Sequence, residues 1–258
     1  MNQLLITLGC SWMYGVGVGY TPGMIDNEYY DIAWQESVCN QLSFRGLLSK
    51  KYNLINKNFS QPGASNQWQF RLAKEYFTST EFKQAEKNFD KIIVLWGITS
   101  TARNELYYIS EQKLVSFFYK SDTPESKTMV KYFYDHDNEV TQLTTEMLFW
   151  DDYFANKNIS NLWFDTFNHH EYNHPGLKNL IFAEENPRDL LSKLAINNGL
   201  VNPDNQYHGS EWKIDSNRIK HLSNLKLLNP YSHHPTLDGH QQMADLLAPH
   251  IETLVKPL

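Results

Sequence analysis

A serine near the N-terminus and a histidine near the C-terminus are the residues best suited to covalent chemistry. Ser11 follows a short apolar segment and Gly9, and this glycine allows a sharp turn that would expose a hydroxyl at a sheet edge. His234 stands directly before Pro235, at the start of a predicted helix. A hydroxyl nucleophile needs a base to take its proton, and histidine fills that role near neutral pH. Taken alone, Ser11 is also typical of a helix N-cap.

Two further blocks contain candidate donors for a developing oxyanion. Gly63 lies in a turn after the second predicted strand, where its backbone N–H has no side chain in the way, and Asn66 adds a side-chain amide. Thr99 follows the third predicted strand and can point a hydroxyl into the same crevice. Each such donor can lower a reaction barrier by several kcal/mol. The same residues also fit an ordinary Pro-Gly turn and helix caps, so each block alone leaves both interpretations open.

Apolar strand patterns alternate with helical patterns along the chain. The predicted strands are Gln3–Leu8, Tyr52–Phe59, Lys91–Trp96, Leu162–Phe167 and Leu222–Leu228. The predicted helices run from about Trp34 to Tyr52, Asn66 to Phe77, Thr144 to Asn156, Pro187 to Ile196 and Leu237 to Val255. This alternation predicts an α/β fold with a mostly parallel, five-stranded sheet that helices cover on both faces. In such sheets the active site lies beyond the carboxyl ends of the strands.

The chain is predicted to form a single domain over residues 1–258. No internal repeat, low-complexity tract or Pro/Ser-rich linker divides it. The segment from about 104 to 158 is rich in aromatic and charged residues and shows weaker periodicity than the rest. We expect it to be a helical insertion or cap that walls a pocket.

Composition excludes several classes of protein. The chain has 258 residues, 41% of them hydrophobic, which is enough for a core and argues against disorder. Its net charge of −6 argues against a nucleic-acid partner, and no apolar run approaches the roughly 20 residues that span a bilayer. Two cysteines, Cys10 and Cys39, cannot staple a scaffold of this length. Because no basic residue precedes the short first apolar run, we expect no signal peptide and a cytoplasmic protein.

Four short blocks together resemble a known family. Gly9-Cys10-Ser11-Trp12, Gly63-Ala64-Ser65-Asn66, Gly97-Ile98-Thr99 and His234-Pro235 resemble, in order and spacing, the four blocks of the SGNH (GDSL-type) hydrolases. Their form looks like that of divergent phage and environmental members. The resemblance implies a flavodoxin-like, three-layer α/β/α fold and cofactor-free ester hydrolysis. It assigns Ser11 as nucleophile and oxyanion donor, Gly63 as second donor and His234 as base.

This sequence departs from the family pattern at three positions. Cys10 stands where the first block usually has Asp, and Thr99 stands where the third block usually has the Asn donor, so Asn66 is a possible substitute. Tyr231 occupies the position of the usual triad acid, three residues before the histidine. Asp165 at the end of the fourth strand, Asp238, or a Ser-His dyad without a carboxylate are the alternatives. Loss of a triad acid can cost about 10⁴ in turnover.

Four functions fit these residues. The first is an esterase or deacylase that acts on a small-molecule or glycan acyl ester, and an acyltransferase would use the same serine. The third is a binding protein of the same fold that has lost its chemistry. The fourth is a metal hydrolase whose ligands would be His233, His234, Asp238 and His240. Oligomeric state does not follow from the sequence.

Three aromatic residues next to the motifs are candidates for substrate binding. Trp12 and Tyr14 follow the nucleophile, and Trp68 follows Asn66. An apolar wall made by these rings would suit acyl or aryl groups, although core packing is the common role of such residues.

Overall fold

The computed structural model describes residues 2–21, 23–24, 35–108, 112–118, 124–132, 134–167, 170, 172, 176–185, 189–200 and 216–255. In chain order, its elements are β1 (Gln3–Leu8), α1 (Ser11–Tyr14), α2 (Glu36–Leu42), α3 (Phe44–Tyr52), β2 (Ile55–Asn58), α4 (Asn66–Phe77), α5 (Thr80–Asn88), β3 (Lys91–Ile98), β4 (Arg103–Tyr108), β5 (Lys113–Phe118), α6 (Pro124–Tyr132), α7 (His136–Asn156), β6 (Ser160–Asp165), α8 (Leu190–Asn197), α9 (Ser216–Asn224) and α10 (Leu237–Val255).

Four of the strands form one parallel sheet in the order β2-β1-β3-β6. The central strand β1 pairs along its whole length with β3, from Gln3 opposite Lys91 to Leu8 opposite Trp96. Both are nearly continuous runs of buried apolar residues, as expected for strands that are covered on both faces. The predicted α/β class and parallel sheet are therefore confirmed.

The sheet departs from the prediction in its fifth strand. The segment Leu222–Leu228 is not a strand: α9 places Ile219 and Leu222 in the core at helical spacing, and Leu228 makes a single antiparallel bridge to Pro235. On the outer side of β6, the sheet continues in the described part of the chain only as a parallel bridge between Trp163 and Leu180.

Helices cover both faces of the sheet. On one face of the sheet, α3, α8, α9 and α10 pack against buried strand side chains, with Leu5, Ile93, Leu95 and Phe164 at the centre. On the other face α4, α5 and α7 pack against Leu4, Ile6, Val94 and Trp96. Since successive side chains of a strand point to opposite faces, adjacent residues of β1 and β3 feed the two cores. The result is the predicted three-layer arrangement.

The single helix predicted from Trp34 to Tyr52 is two helices, α2 and α3, that meet at Ser43. Ser43 has extended backbone angles, so it ends one helix and begins the next. The loop after α1 lies directly against this junction: a Cβ on Gly15 would be only 2.6 Å from Ser43 Cβ. The buried His240 then accepts a 3.4 Å hydrogen bond from the Phe44 N–H at the start of α3.

The segment 104–158, predicted as a helical insertion, contains strands as well as helices. It begins with an antiparallel hairpin in which β4 pairs with β5, and two helices follow. The second helix, α7, is part of the main fold because Met147, Trp150 and Phe154 lie in the core of the second face. Among the described helices, none is long and apolar enough to span a membrane.

Candidate active site

The structure brings Ser11 and His234 into direct contact. His234 Nε2 lies 2.7 Å from Ser11 Oγ, although the two residues are separated by 223 positions in sequence. Ser11 is the first residue of α1 and stands just past the carboxyl end of β1, where only 6% of its surface is exposed. The distance is that of an O–H···N hydrogen bond, which is the contact a nucleophile needs with its base.

A glycine allows the N-terminal loop to approach the histidine closely. Gly17 has a φ of +109°, and a Cβ at this position would lie 2.1 Å from the Pro235 carbonyl oxygen and 3.1 Å from His234 Cβ. Any side chain here would collide with the backbone that carries the imidazole. The glycine-spaced loop after α1 therefore packs directly against the backbone that carries His234.

The turn that carries His234 is closed by Asn229. The Asn229 N–H donates to the His234 carbonyl at 2.8 Å, and the Asn229 carbonyl accepts from the His233 N–H at 2.9 Å. The buried side chain of Asn229 also accepts from the Tyr231 N–H at 2.8 Å. Tyr231, at the position of the usual triad acid, is therefore exposed on a turn that an amide side chain organises.

His234 is held in its neutral form. Burial, the Arg103 guanidinium and the neighbouring His233 lower the pKa of His234 to about 4. A neutral imidazole whose Nε2 accepts the Ser11 hydroxyl proton must carry its own proton on Nδ1. That Nδ1 is buried and has no hydrogen-bond partner among the described residues.

Neither of the predicted carboxylates is hydrogen-bonded to His234. Asp165 is fully buried at the end of β6, where its carboxylate accepts from the Tyr172 hydroxyl at 2.6 Å and from the His170 N–H at 3.2 Å. Asp238 lies exposed in the first turn of α10. Asp165, the predicted acid, is therefore not bonded to His234, because its carboxylate is hydrogen-bonded to Tyr172 and His170.

Two backbone donors at this edge are available to a substrate. Gly63 is exposed with a φ of +79°, and no atom lies within 4 Å of where its Cβ would be. Neither the Gly63 N–H nor the Ser11 N–H makes a hydrogen bond within the described ranges. The role of these two N–H groups as oxyanion donors stays a prediction.

Asn66 and Thr99 are joined to each other instead of pointing separately into the crevice. The Asn66 side chain donates to the Thr99 carbonyl at 2.9 Å and accepts from the Thr99 N–H at 3.0 Å. This reciprocal pair ties the start of α4 to the loop after β3. The Thr99 hydroxyl itself is buried and has no hydrogen-bond partner among the described residues.

His170 is a part of this edge that the sequence analysis missed. Its Nε2 lies 3.1 Å from the Thr99 carbonyl, so the same oxygen is contacted by Asn66 and His170. The His170 ring is buried and stacks at 6.5 Å on His136. Its position five residues after Asp165, at the end of a predicted strand, was the available sequence signal.

The three predicted substrate-binding aromatics have different environments. Trp12 is 4% exposed and packs edge-to-face on Phe167 at 5.8 Å, so it belongs to the core and not to a pocket wall. Tyr14 is half-buried and packs with Val16. Trp68 is half-buried on α4 with the Arg71 guanidinium 5.2 Å from its ring. Of the three, Tyr14 and Trp68 retain surface that a ligand could contact.

The candidate metal ligands do not converge. His233 is exposed, and His240 is buried, stacked on Phe44 at 5.9 Å, with its pKa lowered to about 3 by burial. Within the part of the chain that the structure describes, no group of three His, Cys, Asp or Glu is arranged to hold a metal ion.

Comparisons with known proteins find similar structures only. Neither the protein-family models nor the curated proteins contain a match. An acetyl xylan esterase from the rumen bacterium Butyrivibrio proteoclasticus is similar over 98% of this chain and 64% of its own, with 13% identity and a TM-score of 0.49. An esterase from a Pseudoalteromonas species is similar over 99% of both chains, with 11% identity and a TM-score of 0.44.

A third similar structure comes from Desulfitobacterium hafniense and is described as a lipolytic protein of the G-D-S-L family. The similarity covers 96% of this chain and 99% of that one, with 12% identity and a TM-score of 0.35. The present chain thus spans less than two thirds of the length of the xylan esterase and nearly the whole length of the other two.

Proposed function

We propose that this chain is a serine ester hydrolase in which Ser11 is the nucleophile and His234 the general base. The observation that carries the proposal is the 2.7 Å contact between Ser11 Oγ and His234 Nε2 at the carboxyl edge of a parallel sheet. With its pKa lowered to about 4, the His234 imidazole is neutral and able to accept a proton at neutral pH, but it is a weaker base than one whose pKa lies near the working pH.

The reaction would proceed through an acyl-enzyme. Ser11 Oγ attacks the ester carbonyl carbon while His234 Nε2 takes the hydroxyl proton, and the carbonyl oxygen becomes an oxyanion. The N–H groups of Ser11 and Gly63 stabilise that charge. The C–O bond to the alcohol then breaks, and His234 returns its proton to the departing alkoxide. In the second half-reaction a water molecule, deprotonated by the same nitrogen, attacks the acyl carbon. The bond from that carbon to Ser11 Oγ then breaks, and His234 returns the proton to Ser11 as the acid leaves.

Without a carboxylate on Nδ1, His234 would work as the base of a dyad. The imidazolium that forms during attack gains no stabilisation from an anion, and Arg103 opposes its positive charge. A triad acid can be worth about 10⁴ in turnover, so the hydrolysis should be slow. The same unpartnered nitrogen favours a second candidate function: a binding protein of the same architecture with no turnover.

Covalent labelling separates the two candidates. A fluorophosphonate reacts with an activated serine and leaves a mass adduct that peptide mapping assigns to a residue. We expect stoichiometric labelling at Ser11, none in Ser11→Ala, and normal labelling in the matched control Ser100→Ala at the same sheet edge. Hydrolysis of a short-chain aryl ester should follow the same pattern. An unlabelled Ser11 in correctly folded protein would assign the chain to the binding function instead.

A further inference from the structure

Three consecutive backbone carbonyls just after the nucleophile accept hydrogen bonds from buried side chains of α2 and α3. Arg45 Nε donates to the Met13 carbonyl at 3.0 Å, and Arg45 Nη2 donates to the Tyr14 carbonyl at 2.9 Å. The Cys39 thiol donates to the Gly15 carbonyl at 3.4 Å. We call the carbonyls of Met13, Tyr14 and Gly15 the carbonyl triplet. Two side chains that lie far from the nucleophile in sequence thus hold the segment that follows it.

The helix that begins with the nucleophile is too short to be stable by itself. α1 is a single turn of four residues, Ser11–Tyr14. The first turn of a helix fixes several backbone angles for one hydrogen bond, so a helix of this length depends on contacts from outside. Its last carbonyls also have no partner within the helix. Arg45 supplies two N–H donors to these carbonyls, at the end of α1 opposite to Ser11.

Arg45 is fully buried, which is costly for a charged side chain. Burial lowers the pKa of its guanidinium to about 10, so the group is still charged at neutral pH. Its described hydrogen bonds go to neutral oxygens: the two carbonyls, and the Asn40 side-chain oxygen at 2.5 Å. An apolar side chain of similar volume would fill the same space without the cost of burying a charge. The guanidinium at this position is therefore explained by the hydrogen bonds that it makes.

The carbonyl triplet continues directly into the loop that packs on the base. A Cβ on Gly17 would lie 2.1 Å from the Pro235 carbonyl oxygen and 3.1 Å from His234 Cβ. On the other side of the loop, a Cβ on Gly15 would lie 2.6 Å from Ser43 Cβ. The loop is thus enclosed between the junction of α2 with α3 and the turn that carries the imidazole. A shift of the carbonyl triplet would move the nucleophile before it and the contact with the base after it.

The start of α3 also contacts the helix that follows the base. The Phe44 N–H donates to His240 Nδ1 at 3.4 Å, and the two rings stack at 5.9 Å. The His240 N–H in turn donates to the Thr236 carbonyl at 2.8 Å, two residues after His234. Phe44 therefore contacts the first turns of α10, and the next residue, Arg45, holds the end of α1. Nucleophile and base are both tied to the same short element.

We propose that Arg45 is a positioning residue of the catalytic site. Its guanidinium binds the carbonyl triplet and so holds Ser11 Oγ within hydrogen-bond distance of His234 Nε2. This inference rests on the proposed function. Because Arg45 acts through the backbone, its loss should lower kcat and leave substrate affinity nearly unchanged, and a displacement of about 1 Å at the reacting groups can cost about 10² in rate. In the competing interpretation, the guanidinium contributes only to the stability of the fold.

The first test compares two buried arginines. Arg45→Met keeps most of the side-chain volume and removes every donor. The matched control, Arg218→Met, does the same to an arginine that is 3% exposed and hydrogen-bonded to Ser192 of α8. We expect Arg45→Met to lower kcat for a short-chain aryl ester by about 10²-fold and to change KM by less than about threefold. Arg218→Met should change neither value by more than about threefold. Thermal unfolding followed by circular dichroism gives an assay temperature at which both variants are folded.

A conservative variant tests the geometry of the guanidinium. In Arg45→Lys the positive charge is kept, but a compact ammonium cannot span two carbonyls as a planar guanidinium does. We expect an intermediate kcat, about tenfold below that of the parent. If Arg45→Met does not fold, this variant decides the question. A kcat within twofold of the parent value would then overturn the proposal.

The second test measures the contact between nucleophile and base without turnover. In protein labelled with ¹⁵N-histidine, the Nε2 resonance of a neutral imidazole shifts when that nitrogen accepts a hydrogen bond. His234→Gln assigns the His234 signal, and Ser11→Ala gives its position without the serine hydroxyl. At neutral pH, Arg45→Met should move the signal towards the Ser11→Ala position. Arg218→Met should leave it at the parent position.

The outcomes separate this inference from the proposed function. If the parent neither hydrolyses esters nor reacts with a fluorophosphonate, but Arg45→Met moves the His234 resonance, the hydrolase proposal fails and the positioning role stands. If the parent is active and Arg45→Met changes kcat and the resonance no more than Arg218→Met does, the guanidinium only stabilises the fold and this inference is overturned. A change in only one of the two measurements on an active parent also overturns it.

Discussion

Two imidazoles at the same edge of the sheet have complementary sets of partners. His234 contacts a serine hydroxyl through Nε2, while its Nδ1 meets no hydrogen-bonding group in the described part of the chain. His170 lies where the predicted acid is: its backbone N–H donates to Asp165, and its Nε2 contacts the Thr99 carbonyl. The predicted acid, Asp165, is thus bonded at one place, while the predicted base, His234, contacts Ser11 at another.

Asp165 remains in the sequence at the end of β6, but its hydrogen bonds are made to other residues than His234. Asp165 is buried, and a buried charge needs hydrogen bonds wherever they are closest. The Tyr172 hydroxyl and the His170 N–H supply them from the segment that follows β6. His234 arrives instead on a turn near the C-terminus, which Asn229 closes with amide hydrogen bonds. We infer that Asp165 organises the loop after β6 and that His234 serves Ser11 alone.

The largest expected effect is on the rate when each of the two histidines is replaced by glutamine in turn. His234→Gln should lower kcat for a short-chain aryl ester by about 10³-fold, since a general base contributes roughly 10²–10⁴. His170→Gln should lower it by less than tenfold, because a glutamine amide can still donate to the Thr99 carbonyl. Steady-state kinetics on both variants measures the contrast. Equal losses in the two variants would place His170 in the catalytic machinery and would contradict the comparison.

An intermediate effect is expected in the pH dependence of the rate. With its pKa lowered to about 4, His234 stays neutral and able to accept a proton down to that pH. The value of kcat/KM should therefore be level above about pH 5 and fall about tenfold for each unit below pH 4. A profile recorded from pH 3.5 to 8 tests this. An acid limb near pH 6.5 would contradict the lowered pKa of His234 in the free enzyme.

The same shift predicts a loss of stability in acid. In the folded state His234 stays neutral down to about pH 4, whereas in the unfolded chain it takes up a proton near pH 6.5. Because protonation then favours the unfolded chain, the folded state should lose stability as the pH falls from 6.5 towards 4. His240, whose pKa is lowered to about 3 by complete burial, adds to this loss in the same direction and over a wider range. Urea unfolding at several pH values gives the slope directly.

The smallest expected effect is that of Asp165→Asn. If Asp165 oriented His234, the substitution would cost about 10⁴ in turnover, as in a true triad. Because Asp165 is bonded to Tyr172 and His170, we expect less than a tenfold change in kcat and an unchanged pH profile. A lowered melting temperature should accompany it, since a buried hydrogen-bonded charge is replaced. A loss as large as that of His234→Gln would show that the carboxylate does reach the base.

Much of the fold could be predicted because it depends on local pattern. The apolar runs of β1 and β3, the Ser65-capped helix α4 and the last helix from Leu237 to Val255 all lie where periodicity and capping placed them. The errors occurred where a distant contact overrides local pattern. Ser43 breaks a continuous helical pattern because another loop packs on it, and Leu222 contacts the core as part of a helix where alternation suggested a strand.

The candidate site divides in the same way. The placement of Ser11, Gly63 and Thr99 beyond strand ends follows from the order of strands and helices, because parallel strands bring their carboxyl ends to one edge. The partner of Asp165, the burial of Trp12 and the reciprocal bonds between Asn66 and Thr99 do not follow from it. Each depends on which side chains are closest in space.

By itself, the amino-acid order determined which polar residues this protein brings to one end of a parallel sheet, because strand and helix periodicity are properties of neighbouring residues. Only the tertiary structure decided how those residues pair: Ser11 with His234, and Asp165 with Tyr172 and His170. Hydrogen bonds act over about 3 Å, and that distance is set by how the layers and loops pack and not by separation along the chain.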